Sequence, residues 1–199
     1  MKLKKIAFYV VIFLIIVFVS FYFVYIPWNL RWGATDEEVN RSMIGDDIVK
    51  NPTFNATRAI TIDASPEEIW PWIIQIGYKR AGFYSYDFLD NDGIPSAEGI
   101  IPEYQDLKVG DRIPLDKEGT ITVEALEPNK HMLLASQSGR MTWAWGLYQT
   151  DAQQTRLVTR LRVRMESIVP RLLWDAFEIV MMRKCLLGIK RRAESLASQ

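Results

Sequence analysis

The sequence predicts an α+β domain that follows one apolar N-terminal helix, and three observations support this prediction. A charge-free apolar run stands at residues 6–26. Beyond it, one strand and one helix are followed by short segments that alternate as strands do. The chain then ends in a long amphipathic pattern, typical of a helix packed on a sheet. The 199 residues suffice for one domain with a sizeable core.

The apolar run IAFYVVIFLIIVFVSFYFVYI predicts a transmembrane helix over residues 6–26. A helix of this length rises about 30 Å, which is the thickness of the hydrocarbon core of a bilayer. A cleaved signal sequence is the alternative, but its apolar region usually spans only about 7–15 residues. The aromatic side chains near the end of this run and just after it are typical of a membrane interface; they are Tyr22, Tyr25, Trp28 and Trp32. We therefore expect residues 1–32 to form an uncleaved anchor.

The charges that flank the anchor predict its orientation. Lys2, Lys4 and Lys5 precede the apolar run, whereas Arg31 and then the acidic residues 36–38 follow it. Positive charge favours the cytoplasmic side of a membrane. We therefore expect a single-pass membrane protein in a lipid bilayer, with a cytoplasmic N-terminus and an extracytoplasmic domain.

Composition excludes several classes of protein. The formal net charge is +0 and the pI is about 6.6, which argues against a nucleic-acid partner. His131 is the one histidine and Cys185 the one cysteine, so a multi-histidine metal centre and an internal disulfide are both excluded. No glycine-rich phosphate loop is present. The sequence thus indicates no metal and no other cofactor.

The residues after the anchor divide into a tether and a domain. Residues 33–56 are polar and contain Gly33, Gly45 and Pro52, which predicts a tether; residues 57–197 are expected to form the domain. The domain begins with an alternating strand over 57–63. Next, Ser65-Pro66-Glu67-Glu68 is typical of a helix start, because serine caps the helix, proline fits its first position and a glutamate follows three residues after the cap.

The second half of the domain predicts strands. A short helix over 84–89 and a long loop over 91–110 come first, and the strands then cover 112–115, 120–126, 131–136, 141–150 and 155–165. In the last of these, Leu157, Leu161 and Val163 share one face, whereas Arg156, Arg160, Arg162 and Arg164 share the other. We expect the arginines to pair with acidic neighbours within the protein. A basic face directed at anionic headgroups is the alternative.

The C-terminus predicts one long helix that begins near Pro170. Its apolar residues recur every three or four positions and form a stripe; they are Leu172, Ala176, Ile179, Met182, Leu186, Ile189, Ala193 and Leu196. Val180 is expected to widen this stripe. Charged residues interrupt the apolar run, so this helix is not expected to span a membrane.

The order of these elements resembles the helix-grip fold of the SRPBCC superfamily, which includes START lipid-transfer domains, polyketide cyclases and the birch-pollen allergen. The matching stretches are TRAITIDASPEEIWPWIIQIG (57–77), GFYSYDFLDN (82–91) and MMRKCLLGIKRRAE (181–194), and the resemblance spans residues 57–194. It implies a curved antiparallel sheet that wraps around the terminal helix. It also implies a cavity between them, which in this superfamily holds a lipid, sterol, aromatic polyketide or hormone.

The resemblance directs attention to six residues as a candidate ligand site. Trp143 and Trp145 fall on one face of their strand, and Tyr84 and Tyr86 lie in the segment that this fold places near the cavity mouth. Asp87 or Arg58 is expected to supply a polar contact. Met181 and Met182 provide adaptable wall material on the closing helix. The residues leave open whether the interior is a cavity or a filled core.

Three classes of function remain. The favoured one is membrane-tethered binding or carriage of a lipid-like or aromatic small molecule. A cyclase- or hydrolase-like enzyme acting in the same cavity is an alternative, in which Asp87 beside a tyrosine acts as general base. A module with a filled core that serves only interactions is the third. No Ser-His-Asp or Cys-His set is visible, and Cys185 is expected to be a small buried hydrophobe.

Overall fold

The computed structural model describes residues 2–166 and 168–197, with the side chains of residues 4–166, 178 and 180–197. The helices are α1 (Lys2–Ser20), α2 (Ile26–Leu30), α3 (Asp36–Asn40), α4 (Pro66–Ile74), α5 (Asp87–Asp90) and α6 (Ile168–Ala197). A π-helical turn, Phe21–Tyr25, joins α1 to α2, and Pro102–Tyr104 forms a 3-10 turn. The strands are β1 (Phe54–Ile62), β2 (Arg112–Pro114), β3 (Thr120–Glu127), β4 (His131–Ala135), β5 (Met141–Asp151) and β6 (Gln154–Val163).

The six strands form one curved antiparallel sheet in the order β1-β6-β5-β4-β3-β2. The hairpins β2–β3, β3–β4, β4–β5 and β5–β6 each join neighbouring strands, and β1 returns to pair with β6. Helix α6 lies against the concave face, where Leu186, Ile189 and Ala193 are fully buried. The predicted α+β architecture, with a sheet wrapped around a long terminal helix, is therefore confirmed.

The start of α4 shows how local sequence places an element. Ser65 and Glu68 form the predicted capping box: the Glu68 carboxylate accepts from the Ser65 backbone amide at 2.7 Å. Pro71 lies within the helix and cannot donate the amide hydrogen bond to the Glu67 carbonyl oxygen that another residue would make there. The side chains of Ile69, Trp70 and Ile73 are buried against the sheet and α6.

The N-terminal helix is long and apolar enough to cross a membrane. The apolar segment runs over Lys4–Leu30 and includes the predicted span of residues 6–26. The side chains of its residues 6–25 are almost all exposed. Contact with the domain begins near its end, because Asn29 is buried and Leu30 packs against the core.

The segment that leads from the anchor to β1 does not form the free tether that its polar composition predicts. Residues 33–53 cover the outer face of the sheet, where Met43 packs against Leu133 and neighbouring side chains. Acidic residues of this segment meet the arginines of β6: Glu38 pairs with Arg156 at 2.8 Å and Asp46 with Arg160 at 2.6 Å. Arg162 also pairs with Asp46, at 3.5 Å, whereas Arg164 donates to the Lys50 carbonyl oxygen. These contacts favour the expected internal pairing over the alternative of a basic face directed at headgroups.

Two expectations for the helices need correction. Val180 does not widen the buried stripe of α6, because it lies about 160° around the helix from Met182 and is 45% exposed. Leu196 is also exposed. Leu172, Ala176 and Ile179 lie outside the described side chains. The helix predicted over 84–89 is only the turn α5, since Tyr84 has a φ of 57°, in the left-handed region that a right-handed helix cannot contain.

Candidate ligand-binding cavity

A cavity of about 530 Å³ lies between the sheet and α6 and opens to solvent. Its apolar walls come from β5, β6, α6 and the loops after α4 and β2; they are Tyr78, Phe83, Leu89, Leu115, Met141, Trp143, Leu161, Met181, Met182 and Cys185. Such a volume falls within the range of about 300–1,000 Å³ that small-molecule sites occupy. The sequence did not decide between a cavity and a filled core, and the structure has a cavity.

The floor of the cavity is aromatic and well ordered by packing. Trp143 stacks on Phe83, with ring centroids 6.5 Å apart, and contacts Trp145 at 4.8 Å. The Trp143 indole Nε1 donates to the Thr159 hydroxyl on the neighbouring strand at 2.9 Å. This bond satisfies the polar edge of the indole and leaves its apolar ring surface toward the cavity.

The polar groups of the cavity are mostly acidic. The described lining residues contribute five carboxylates, from Asp90, Asp92, Asp116, Glu118 and Glu178, and one cation, Lys117. Asp92 accepts from the Tyr78 hydroxyl at 2.6 Å and pairs with Lys117 at 3.2 Å. The tyrosine hydrogen bond, followed by the lysine contact, holds the pKa of Asp92 below its usual range. The Asp116 carboxylate instead accepts the backbone amides of Glu118 and Gly119 in its own turn.

Asp90 is the polar group with the most unusual environment. One of its oxygens, Oδ1, is buried with no hydrogen-bond partner among the described residues. Burial, and after it the neighbouring Asp87, raise the pKa of Asp90 to about 6, although Ser85 and Lys184 oppose the shift. Because the shift places titration near neutrality, this carboxyl can hold or release a proton at the cavity wall.

Glu178 and Arg58 form a buried ion pair at the inner wall. Arg58 Nη1 and Nη2 donate to Glu178 Oε1 and Oε2 at 2.5 and 2.8 Å, and both side chains are more than nine-tenths buried. Arg58 Nε donates to the Asn29 carbonyl oxygen at 2.8 Å. The pair neutralises Glu178, the carboxylate on α6 that lines the cavity. Arg58 itself lies behind the wall.

The six residues predicted from the sequence to form the ligand site do not all line the cavity. Trp143 lines the cavity, and Trp145 lies beside it in the core. Tyr84, Tyr86, Asp87, Trp145 and Arg58 are not among the described lining residues. Ligand contact by these residues stays a prediction.

Tyr84 is held within the core, away from the cavity surface. Its hydroxyl donates to the Trp72 carbonyl oxygen at 3.1 Å and accepts from the Gln75 amide at 2.8 Å. Burial raises its pKa. The left-handed backbone at Tyr84 brings its carbonyl oxygen against α6 at Gly188, where a Cβ atom would lie only 2.4 Å from it. Tyr84 therefore packs directly against α6.

Tyr86 and Asp87 lie on the surface beside the cavity mouth. Lys184 Nζ lies 3.8 Å from the centroid of the Tyr86 ring. The Asp87 carboxylate accepts from the Ser96 hydroxyl. Both side chains are half-buried, and both are engaged with neighbouring residues of the protein.

Sequence reasoning missed Phe83, Asp90 and the loop 115–118 as wall residues. Phe83 and Asp90 lie within the stretch 82–91 that carries the resemblance, but no periodic pattern marks which of its side chains turns inward. The loop 115–118 is polar and follows a three-residue strand, so only the curvature of the sheet brings it over the cavity. Met181 and Met182 line the wall as expected.

Cys185 could act as a nucleophile and the acidic residues could bind a metal ion, but their surroundings favour neither role. Cys185 lies on the cavity wall and is 2% exposed, and burial raises the pKa of its thiol. A thiol of this kind is a poor nucleophile. Within the described residues, no group of three or more His, Cys, Asp or Glu side chains is placed to hold a metal ion.

The sheet, the closing helix and the cavity between them define a helix-grip fold, which is the fold that the resemblance implies. Similar solved structures include a conserved protein of unknown function from Enterococcus faecalis, with 14% identity, coverage of 75% of this chain and 88% of that chain, and a TM-score of 0.47. A Polyketide_cyc-like protein from Corynebacterium glutamicum shows 17% identity, coverage of 72% and 93%, and a TM-score of 0.40. The self-sacrificing resistance protein CalC from Micromonospora echinospora shows 9% identity, coverage of 71% and 95%, and a TM-score of 0.45. No protein-family model matches the chain, and no curated protein matches it.

Proposed function

We propose that the protein binds or carries a lipid-like or aromatic small molecule in the cavity while its N-terminal helix holds it at a membrane. The cavity itself carries this proposal, because it is about 530 Å³ in volume and is walled mainly by aromatic, leucine and methionine side chains. Burial of apolar ligand surface there gains roughly 25 cal/mol per Å², less the cost of ordering the ligand.

Three further features support the proposal. Met141, Met181 and Met182 provide flexible, polarizable wall surface that adapts to ligands of differing shape. Four of the five lining carboxylates belong to residues 90–92 and 116–118, which the Asp92–Lys117 pair joins, so an amphiphile would find polar groups there and apolar walls elsewhere. The apolar helix over Lys4–Leu30 supplies the membrane attachment.

Tryptophan fluorescence tests the binding directly. The detergent-solubilised full chain is titrated with a fatty acid, a sterol and an aromatic polyketide, and we expect at least one class to quench or shift the emission through Trp143. Met182→Trp fills the cavity and should abolish the response. Leu187→Trp, on the exposed side of the same helix, is the matched control and should retain it. Absence of any response from all three classes would overturn the proposal.

A second candidate function, acid–base catalysis in the same cavity, is favoured by Asp90. Its carboxyl lies on the cavity wall beside Ser85 and has a pKa of about 6, which suits proton transfer near neutral pH. The test is turnover of a bound compound: a catalytic role predicts loss of turnover with retained binding in Asp90→Asn. A bound compound that is recovered unchanged from the wild-type protein would leave binding or carriage as the function.

A further inference from the structure

We propose that an exposed apolar and basic surface beside the cavity mouth rests on the bilayer that holds the anchor. This mouth-side patch consists of Phe88, Leu89, Val180, Arg183, Lys184 and Leu187, all of which are exposed. The inference deepens the proposed function and relies on its membrane attachment through residues 6–26. Its occupant is a lipid surface that contains anionic headgroups.

The patch is one continuous surface that joins two elements. Val180, Arg183, Lys184 and Leu187 are spaced by one to four residues and share the face of α6 that turns away from the sheet. Lys184 lies over the Tyr86 ring, and the Tyr86 ring contacts Phe88 at a centroid distance of 6.3 Å. The face of α6 therefore continues directly into the segment around α5.

The patch lies close to the C-terminal end of the anchor, where the anchor meets the domain. The Arg183 guanidinium lies 5.1 Å from the Trp32 ring centroid and 5.9 Å from that of Trp28. Trp28 follows the apolar run by two residues, a rise of about 3 Å along a helix. The headgroup layer on each side of a bilayer is about 5–8 Å thick. Arg183 is thus placed at the depth of the headgroups.

The chemistry of the patch suits this position. Phe88 is 71% exposed and Leu187 is 43% exposed, so large apolar side chains lie in the open beside two cations. Surfaces that lie in the interfacial plane of a membrane combine these same two features. Arg183 and Lys184 attract anionic headgroups. Of the two carboxylates of α5, Asp87 accepts a hydrogen bond from Ser96 within the domain, and Asp90 is the one that interacts with Lys184.

Docking of the patch has a consequence for the cavity. Leu89 belongs to the patch and also lines the cavity, and Met181 lines it between two patch residues of α6. A docked patch therefore sets the cavity mouth at the membrane surface. An apolar ligand then passes between the bilayer and the cavity without crossing bulk water.

Depth-dependent quenching tests the docking in the full chain. Phe88→Cys carries a nitrobenzoxadiazole label; the native Cys185 is buried, and the wild-type chain treated identically measures its background. Val109→Cys is the control, because Val109 is also well exposed, at 61%. It precedes β2, which lies about 24 Å along the sheet from β1, the strand that contacts the end of the anchor. Both proteins are reconstituted in vesicles of equal parts phosphatidylcholine and phosphatidylglycerol that include a lipid with a nitroxide near the glycerol.

We expect a blue-shifted emission and at least twofold stronger nitroxide quenching for the Phe88 label than for the Val109 label. Replacement of both cations, Arg183→Gln with Lys184→Gln, should reduce the quenching of the Phe88 label. Equal quenching of the two labels, or none of either, overturns the inference. So does a blue shift of the Phe88 label that grows with the density of protein in the vesicles, since it would show contact with a second copy.

Failure of this inference is separable from failure of the proposed function. Alkaline extraction of the same vesicles reports the anchor, and the tryptophan titration reports the cavity. A chain that resists extraction and binds ligand, but leaves the Phe88 label unquenched, overturns only the docking. A chain that is extracted overturns the membrane attachment and the docking with it.

Discussion

Arg58 of β1 and Glu178 of α6 form a buried ion pair with two hydrogen bonds, although 120 residues separate them in the chain. The same guanidinium binds the carbonyl oxygen of Asn29 at the end of the N-terminal apolar segment, and Glu178 lines the cavity. The Arg58 side chain therefore joins this segment, the sheet and the wall of the cavity. The apolar segment is part of the folded domain at its C-terminal end.

Removal of one partner of this pair should be strongly destabilising. Glu178→Gln leaves Arg58 buried without its counter-charge, and we expect a loss of about 3–5 kcal/mol in the free energy of unfolding. Denaturant unfolding of the detergent-solubilised chain measures it. Glu98→Gln is the control, because Glu98 is exposed where it pairs with Arg191 and Arg192. We expect this variant to lose less than about 1 kcal/mol in the free energy of unfolding. Similar losses in the two variants would contradict the role given to the buried pair.

Adjacent leucines of α6 should differ sharply in their tolerance of charge. Leu186 is fully buried and Leu187 is on the exposed face. Leu186→Asp buries an unpaired carboxylate, which costs several kcal/mol out of a total stability of about 5–15 kcal/mol. Leu187→Asp should change stability by about 0.5 kcal/mol or less. Thermal unfolding followed by circular dichroism compares the two, and a comparable effect of both would show that α6 does not dock as described.

Asp90 should make stability fall as pH rises. Its pKa is raised from 3.8 to about 6 by burial and by Asp87, so the folded state holds a proton that the unfolded state releases. The contribution of the protonated carboxyl to the stability of the fold is fully present below pH 3.8 and is lost as the pH rises through about 6. Asp90→Asn should therefore be more stable than wild type at neutral pH, by about 1 kcal/mol because partial exposure screens the charge.

The Asp90 effect is checked by chemical unfolding of both proteins across this pH range. The advantage of Asp90→Asn should vanish as the pH is lowered to 4. Glu38→Gln should show the opposite dependence on pH. Burial of Glu38 opposes its ionisation, but the hydrogen bonds from Arg156 and Thr35 outweigh burial, so the pKa of Glu38 is lowered. Its contribution is present above its ordinary pKa of 4.5 and is lost as pH falls. An advantage of Asp90→Asn that does not depend on pH would rule out the titration of Asp90 as its cause.

The inner end of the anchor should matter for stability even without a membrane. Leu30 and Trp32 pack against the core, and the Trp32 carbonyl oxygen accepts the Ala59 amide at 3.1 Å. A chain that begins at Pro27 keeps these contacts, whereas one that begins at Gly33 loses them and leaves Arg58 without the Asn29 carbonyl. We expect the shorter chain to be less stable by about 2 kcal/mol or more. Equal midpoints in urea would show that these contacts contribute nothing.

Much of the domain was predictable because its signals are local. The alternation of β6 predicted which face carries Leu157 and Leu161 and which carries the arginines, and both faces are as expected. The serine, proline and glutamate at 65–68 predicted the start of α4, since a cap depends only on residues within one turn. The hairpins of β3 to β6 follow from the same short-range patterning.

The candidate site was less predictable because its residues are set by contacts between distant segments. The conformation of Tyr84 turns it onto α6, and the side chains around it take their directions from that backbone. Asp90 differs from an ordinary surface aspartate in its burial and in the nearby charge of Asp87, and both depend on the folded loops. Phe83 carries no periodic signal that distinguishes a wall residue from an exposed one.

The sequence by itself determined the apolar helix, the strand order along the chain and the amphipathic closing helix, since each depends on residue periodicity and local propensity. Only the tertiary structure decided that residues 33–53 cover the outer face of the sheet, where Glu38 and Asp46 meet arginines more than 110 residues away. It likewise decided that the interior leaves a cavity of about 530 Å³. The physical reason is that periodicity records which face of an element is apolar, whereas pairing and cavity volume depend on how several such faces meet in space.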